Sequence, residues 1–134
     1  MESKKSVRLL VIHDTEHLYE ALQDVAEMNS HVYDVECMHR SSGREAKELI
    51  SDWRPTIVLL DAHIHDVNSI EFLRDCRSSG IPVILTSHHN SVEIEKSAMN
   101  NGAIGYCPLV GDPETVEQVL SEIVMYSEEV CAVH

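Results

Sequence analysis

Five short runs of β-branched residues and leucine, at 7–12, 32–37, 56–60, 82–86 and 104–107, alternate with five stretches of helical periodicity. A strand that returns to its own sheet through a helix runs parallel to its predecessor, and right-handed crossovers place helices on both faces. The first, third and fourth runs are almost continuously apolar, as strands covered on both faces must be, and they belong at the sheet centre. The rhythm predicts an α/β fold: a doubly wound (βα)5 three-layer sandwich around a five-stranded parallel sheet. Aromatic residues make up only 4% of the chain, which leaves the core to Val, Ile, Leu and Ala.

The helical stretches carry their own start and stop signals. Thr15 can cap the first, which turns Leu18, Ala21, Leu22 and Val25 to one side. Ser42 and Glu45 form a capping box for the second, with Ala46, Leu49, Ile50 and Trp53 inward until Pro55 forces the chain out of helix. Asn68 or Ser69 opens the third, with Ile70, Leu73 and Cys76 facing the sheet, and the Ser-Ser-Gly at 78–80 closes it. Ser91 caps a weaker fourth helix carrying Val92, Ala98 and Met99. Asp112 and Pro113 start a fifth that buries Val116, Val119, Leu120, Ile123 and Val124. With no internal repeat and no linker, residues 1–134 are read as one domain.

Charge narrows the partners. Twenty-three acidic side chains against 10 basic ones give a net charge of -13, a field that repels phosphate backbones, so neither nucleic acid nor an anionic membrane is an expected partner. No run approaches the ~20 apolar residues of a membrane span, and the first residues lack a signal-peptide cleavage site, so a cytoplasmic protein is expected. Cys37, Cys76, Cys107 and Cys131 form no C-x-x-C pair, which argues against a zinc knuckle or a dithiol redox site and leaves them as small buried thiols.

Open parallel sheets gather ligand chemistry beyond the C-terminal ends of their strands, where strand order reverses. The residues expected there are His13 and Asp14 after the first run, Asp61 after the third, Ser87 and His88 after the fourth, and Cys107 and Pro108 after the fifth. Two facing aspartates repel one another, so the pair either binds a divalent metal or raises one pKa. With a hard cation bound, Asp61 stays ionised and nucleophilic toward phosphorus. The structural alternatives are a strand-end carboxylate capping a turn for Asp61, a helix cap for Asp14 and a turn hydroxyl for Ser87.

This pattern resembles the receiver domain of two-component response regulators, over residues 7 to about 126. Val11-Ile12-His13-Asp14 matches that family's acidic doublet, with His13 in place of the first aspartate. Val58-Leu59-Leu60-Asp61 matches the strand that ends in the phosphoacceptor, and the following loop to Asp66 carries His65 where proline is usual. Pro82-Val83-Ile84-Leu85-Thr86-Ser87 matches the fourth strand with its terminal hydroxyl; counting from Pro82 selects Ser87, with Thr86 adjacent. Gly102-Ala103-Ile104-Gly105-Tyr106 matches the fifth, including an aromatic switch position at which packing is the expected role for Tyr106. The family's lysine before proline is missing: ungapped counting puts Leu109 there, and a two-residue deletion puts Cys107 there.

The resemblance implies a flavodoxin-like, CheY-like sandwich with Asp61 and Ser87 as the catalytic pair. It also implies weak magnesium binding by Asp14, Asp61 and His13. The expected function is an atypical receiver in a phosphorelay, which takes a phosphoryl group on Asp61 from a histidine kinase or phosphotransfer protein and signals through a downstream protein partner. Any enzymatic activity is at most its own phosphorylation and slow hydrolysis, and a homodimer is compatible with the sequence. The alternative is a phosphorylation-independent pseudo-receiver that binds proteins with the same surface. His13, His63, His65, His88 and His89 fall on loops at the acidic edge and raise a transition-metal site as a further option. Flavin or nucleotide binding is disfavoured, because His13-Asp14-Thr15 stands where a glycine-rich loop would be needed.

Overall fold

A computed structural model of the chain describes residues 5–14, 17–28, 33–88 and 91–108, with positions 118 and 121. Strands and helices alternate as β1 (Lys5–Ile12), α1 (His17–Met28), β2 (Tyr33–Arg40), α2 (Gly43–Trp53), β3 (Ile57–Asp61), α3 (Ser69–Ser78), β4 (Val83–Ser87), α4 (Val92–Asn100) and β5 (Gly105–Pro108). The sheet is parallel throughout in the order β2-β1-β3-β4-β5, so chain order reverses between β1 and β3.

The period-two alternation of each strand divides the core in two. Leu9, Val11, Ile57, Leu59 and Ile84 pack on one face against Leu18, Leu22 and Ala26 of α1. Leu10, Ile12, Val58, Leu60, Val83 and Leu85 pack on the other, against Ala46 of α2, Phe72, Leu73 and Cys76 of α3, and Ala98 of α4. Every residue of β3 and β4 is buried, which is the physical meaning of their continuous apolar runs.

Local signals act where expected. Ser42 Oγ accepts from the Glu45 N–H, Asn68 Oδ1 from those of Ile70 and Glu71, and Ser91 Oγ from that of Ile94. Arg54 ends α2 in the left-handed region at φ 52, its N–H closing on the Ile50 carbonyl before Pro55 leads into β3. Gly80, at φ 78, makes the turn after α3 that a side chain would strain.

Some expectations need correction. β2 runs on to Arg40 instead of stopping at Cys37, because an edge strand needs no continuous apolar pattern. Phe72 is added to the inward face of α3, where Ile70, Leu73 and Cys76 pack as expected. On α4, Val92 and Met99 are 65% and 47% exposed. Seven residues apart, they share an outward stripe, and Ile94 and Ala98 pack instead. Burial pushes the Cys37 thiol up to about 11 and the Cys76 thiol up to about 12, which keeps both protonated and unreactive. Thr15, His89, Leu109, Cys131 and, but for positions 118 and 121, the expected fifth helix lie outside the described residues. Among the described residues no helix is long and apolar enough to cross a membrane.

Candidate functional site

Pairing of Ile12 with Leu60 brings the next residue of each strand, His13 and Asp61, level at the sheet's C-terminal edge. Both are 2% exposed. The His13 imidazole lies between two carboxylates: Nδ1 is 3.1 Å from Asp14 Oδ1, and Nε2 is 3.8 Å from Asp61 Oδ2. The other Asp61 oxygen accepts the His63 backbone N–H at 3.0 Å. The ring of His88 stands edge-on to His13, with centroids 5.3 Å apart and planes at 75°. One ligand atom from each of His13, Asp14, Asp61 and His88 lies within 4.8 Å of the others; Asp14 and His88 are exposed and the other two buried. The strand ends thus bring together Asp14, Asp61 and His13, as expected, and add His88. His65 is exposed outside this group.

Two hydroxyl residues, Thr86 and Ser87, stand buried at the end of β4. Thr86, opposite Asp61 in the ladder, donates its Oγ1 hydrogen to the Leu60 carbonyl at 3.3 Å, while its own carbonyl accepts the Ala62 N–H. Ser87 is the last residue of the strand, 1% exposed, and pairs with Pro108. Cys107 lies opposite Thr86 and Pro108 opposite Ser87 at the end of β5, with Cys107 buried in the core. The sequence holds no lysine or arginine after Lys96. Tyr106 is half-buried against the α2–α4 face, and its hydroxyl oxygen accepts the Ser91 N–H at 3.3 Å.

Two supporting residues escaped the sequence. His39, on the extension of β2, donates from Nε2 to the His13 carbonyl at 2.8 Å and stacks on Tyr19. Asp66, in the loop after β3, accepts the first N–H groups of α2 from Gly43 at 2.8 Å and Arg44 at 3.1 Å. These bonds, that from Gly43 foremost, hold its carboxyl below the usual carboxylate range. A helix N-terminus favours such a charge. For His39 the sequence signal would have been polar residues continuing at strand spacing; for Asp66 there was none.

Magnesium demands a near-octahedral shell of oxygens at about 2.1 Å. Two of the four convergent groups here are imidazoles, so the donor set fits that ion poorly.

The comparisons agree with this geometry. Residues 9–121 match the family model described as "Response regulator receiver domain". The chain is 31% identical over 120 residues to the response regulator MprA of Mycobacterium ulcerans, covering 88% of this chain and 49% of that protein. It therefore spans about half the length of the MprA relatives it matches. Among solved structures, the Francisella response regulator 1452 receiver domain superposes with a TM-score of 0.77 at 18% identity, over 92% of this chain and 98% of that one. The response regulator domain of Thermotoga maritima CheB gives 0.73 at 22%, over 93% and 96%. Family match, strand order and the strand-end carboxylates agree, and the chain belongs to the response regulator receiver domain family.

Proposed function

We propose that this chain is an aspartate-based switch in which Asp61 accepts a phosphoryl group from the phosphohistidine of a kinase or phosphotransfer protein. The observation that carries this reading is the position of Asp61: at the end of a central strand, beside the point where strand order reverses, with one oxygen anchored by the His63 N–H and the other turned toward His13. The oxygen not engaged by His63 attacks phosphorus, the P–N bond breaks, and the departing imidazole of the donor takes up a proton. Hydrolysis of the acyl phosphate returns the carboxylate and inorganic phosphate. Ser87, at the end of β4, is the hydroxyl proposed to receive a phosphoryl oxygen, because Thr86 already donates to the β3 backbone.

Output through a protein contact is supported by α4, whose Val92 and Met99 form an apolar stripe facing solvent beside β5. Added phosphoryl charge near the start of that helix would alter its position through Ser91 and Tyr106.

A second reading, a pseudo-receiver that never carries phosphate, is favoured by the missing ammonium at the end of β5 and by the imidazole beside Asp61. One experiment separates the two. The chain is incubated with a small-molecule acyl phosphate and divalent metal, and intact mass and peptide mapping follow. A gain of one phosphoryl group on Asp61, absent in Asp61→Asn, supports the switch. An unchanged mass across magnesium, manganese and zinc leaves the pseudo-receiver.

A further inference from the structure

The poor match to magnesium has a positive counterpart. Two imidazoles and two carboxylates are the donor set of borderline divalent ions, zinc and cobalt among them, whose affinity for nitrogen exceeds that of magnesium by a wide margin. From this arrangement we infer that the strand-end cluster of His13, Asp14, Asp61 and His88 is a transition-metal site of the zinc class, selective against magnesium.

The positions divide the work. His13 and Asp61 are buried and fixed by the β1–β3 ladder, so one nitrogen and one oxygen face each other 3.8 Å apart. Two donors on one tetrahedral zinc stand roughly 3.3 to 3.6 Å apart, given bonds of about 2.0 to 2.2 Å, so this pair lies within a few tenths of an ångström of the spacing of adjacent ligands. The opposite nitrogen of His13 is 3.1 Å from Asp14 Oδ1. A carboxylate in that place fixes the imidazole's tautomer and leaves Nε2 as the metal ligand, the usual arrangement of a metal-bound histidine. His88 supplies the second nitrogen from the loop after β4. The 4.8 Å spread of the whole set is about an ångström too wide for one ion. Asp14 and His88 are the exposed members: Asp14 stays on Nδ1 of His13 as its orienting partner, and rotation of the His88 side chain brings the second nitrogen toward the buried pair without moving a strand.

The inference goes beyond phosphoryl acceptance: it concerns the unphosphorylated chain and is tested without a phosphate donor. Zinc is titrated into the metal-free full chain in competition with a chromophoric chelator, and cobalt is followed by its visible d–d bands. The expected result is one tight equivalent that millimolar magnesium does not displace, with cobalt bands of nitrogen and oxygen ligation. His88→Ala, at an exposed position, lowers zinc affinity by roughly tenfold or more. His13→Asp does the same and introduces competition by magnesium, since it exchanges a nitrogen donor for an oxygen. His65→Ala, outside the cluster, changes nothing. Circular dichroism establishes that each variant is folded. Zinc affinity indifferent to both His88→Ala and His13→Asp, equal loss in His65→Ala, or displacement by millimolar magnesium would each overturn the inference. Because no phosphoryl group is involved, its failure leaves the phosphoacceptor reading untouched, and the converse holds.

Discussion

His39 donates its Nε2 hydrogen to the backbone carbonyl of His13 across 2.8 Å, so the edge strand β2 fixes the point where β1 leaves the sheet and enters the acidic cluster. A carbonyl accepts and never donates, which places the proton of His39 on Nε2. The ring also stacks on Tyr19, with centroids 5.6 Å apart.

Replacing His39 by Phe keeps an aromatic ring against Tyr19 and removes the donor. A lost neutral hydrogen bond at a half-buried site costs about 1 kcal/mol. Urea denaturation of His39→Phe is expected to show a lower midpoint by that amount with an unchanged slope. An unchanged midpoint would mean that water replaces the donor and that β2 does not hold the site.

Asp66 links stability to acidity. Its carboxyl is held below its ordinary value of 3.8, chiefly by the Gly43 N–H. A carboxylate with a depressed folded-state pKa contributes stability that is present above the unfolded value and lost as pH falls through the folded one. Asp66→Asn is therefore expected to be less stable than the parent at neutral pH. The gap should narrow below the unfolded value and close once the parent's own carboxyl is protonated. Thermal melts of both proteins from neutral pH down to acid check this, and a gap that stays constant with pH would show that the charge of Asp66 is irrelevant.

Gly43 tests how tightly the loop after β3 is seated on α2. A Cβ there would overlap Val67 Cγ2 and stand 2.9 Å from Cγ1, closer than packed atoms approach. Gly43→Ala should destabilise by about 1 to 3 kcal/mol, the usual range for overpacking, despite the better helix propensity of alanine. Val67→Ala removes the obstructing methyl groups. The double variant should accordingly lose less than the sum of the two single ones, a coupling that a double-mutant cycle in urea measures. Strict additivity would place the clash elsewhere.

What was legible in the sequence follows from where the determining contacts lie. β3 and β4 were visible because every one of their residues is buried, so apolar character runs without a break. His13, Asp14, Asp61 and Ser87 were visible because the strand ends are fixed once the strands are. The sequence pattern ends β2 at Cys37 since its own residues beyond that point, Met38 to Arg40, are half-buried and of mixed polarity on an edge strand. Val92 and Met99 misled because both are apolar, and only helix phase separates them from Ile94 and Ala98. Asp66 was opaque for another reason: its partners, Gly43 and Arg44, precede it by 23 and 22 residues, a distance over which no local pattern reports.

Tyr106 and Ser91 make the last case, because their bond joins β5 to α4. The Ser91 N–H donates to the Tyr106 hydroxyl oxygen at 3.3 Å, while Ser91 Oγ caps the same helix through the Ile94 N–H. The tyrosine ring packs with the α2–α4 face of the core, so its hydroxyl reaches the helix only while the ring stays inward. Tyr106→Phe keeps the packing and removes the acceptor. It should cost about 1 kcal/mol and loosen the first turn of α4. Hydrogen exchange is the discriminating measurement: amides from Ser91 to Glu95 should exchange several-fold faster in the variant, with those of β3 slowed or hastened only by the change in global stability. Equal protection across α4 in both proteins would show that Ser91 Oγ alone holds the helix start, and the β5 aromatic would then have no mechanical link to the surface that α4 presents.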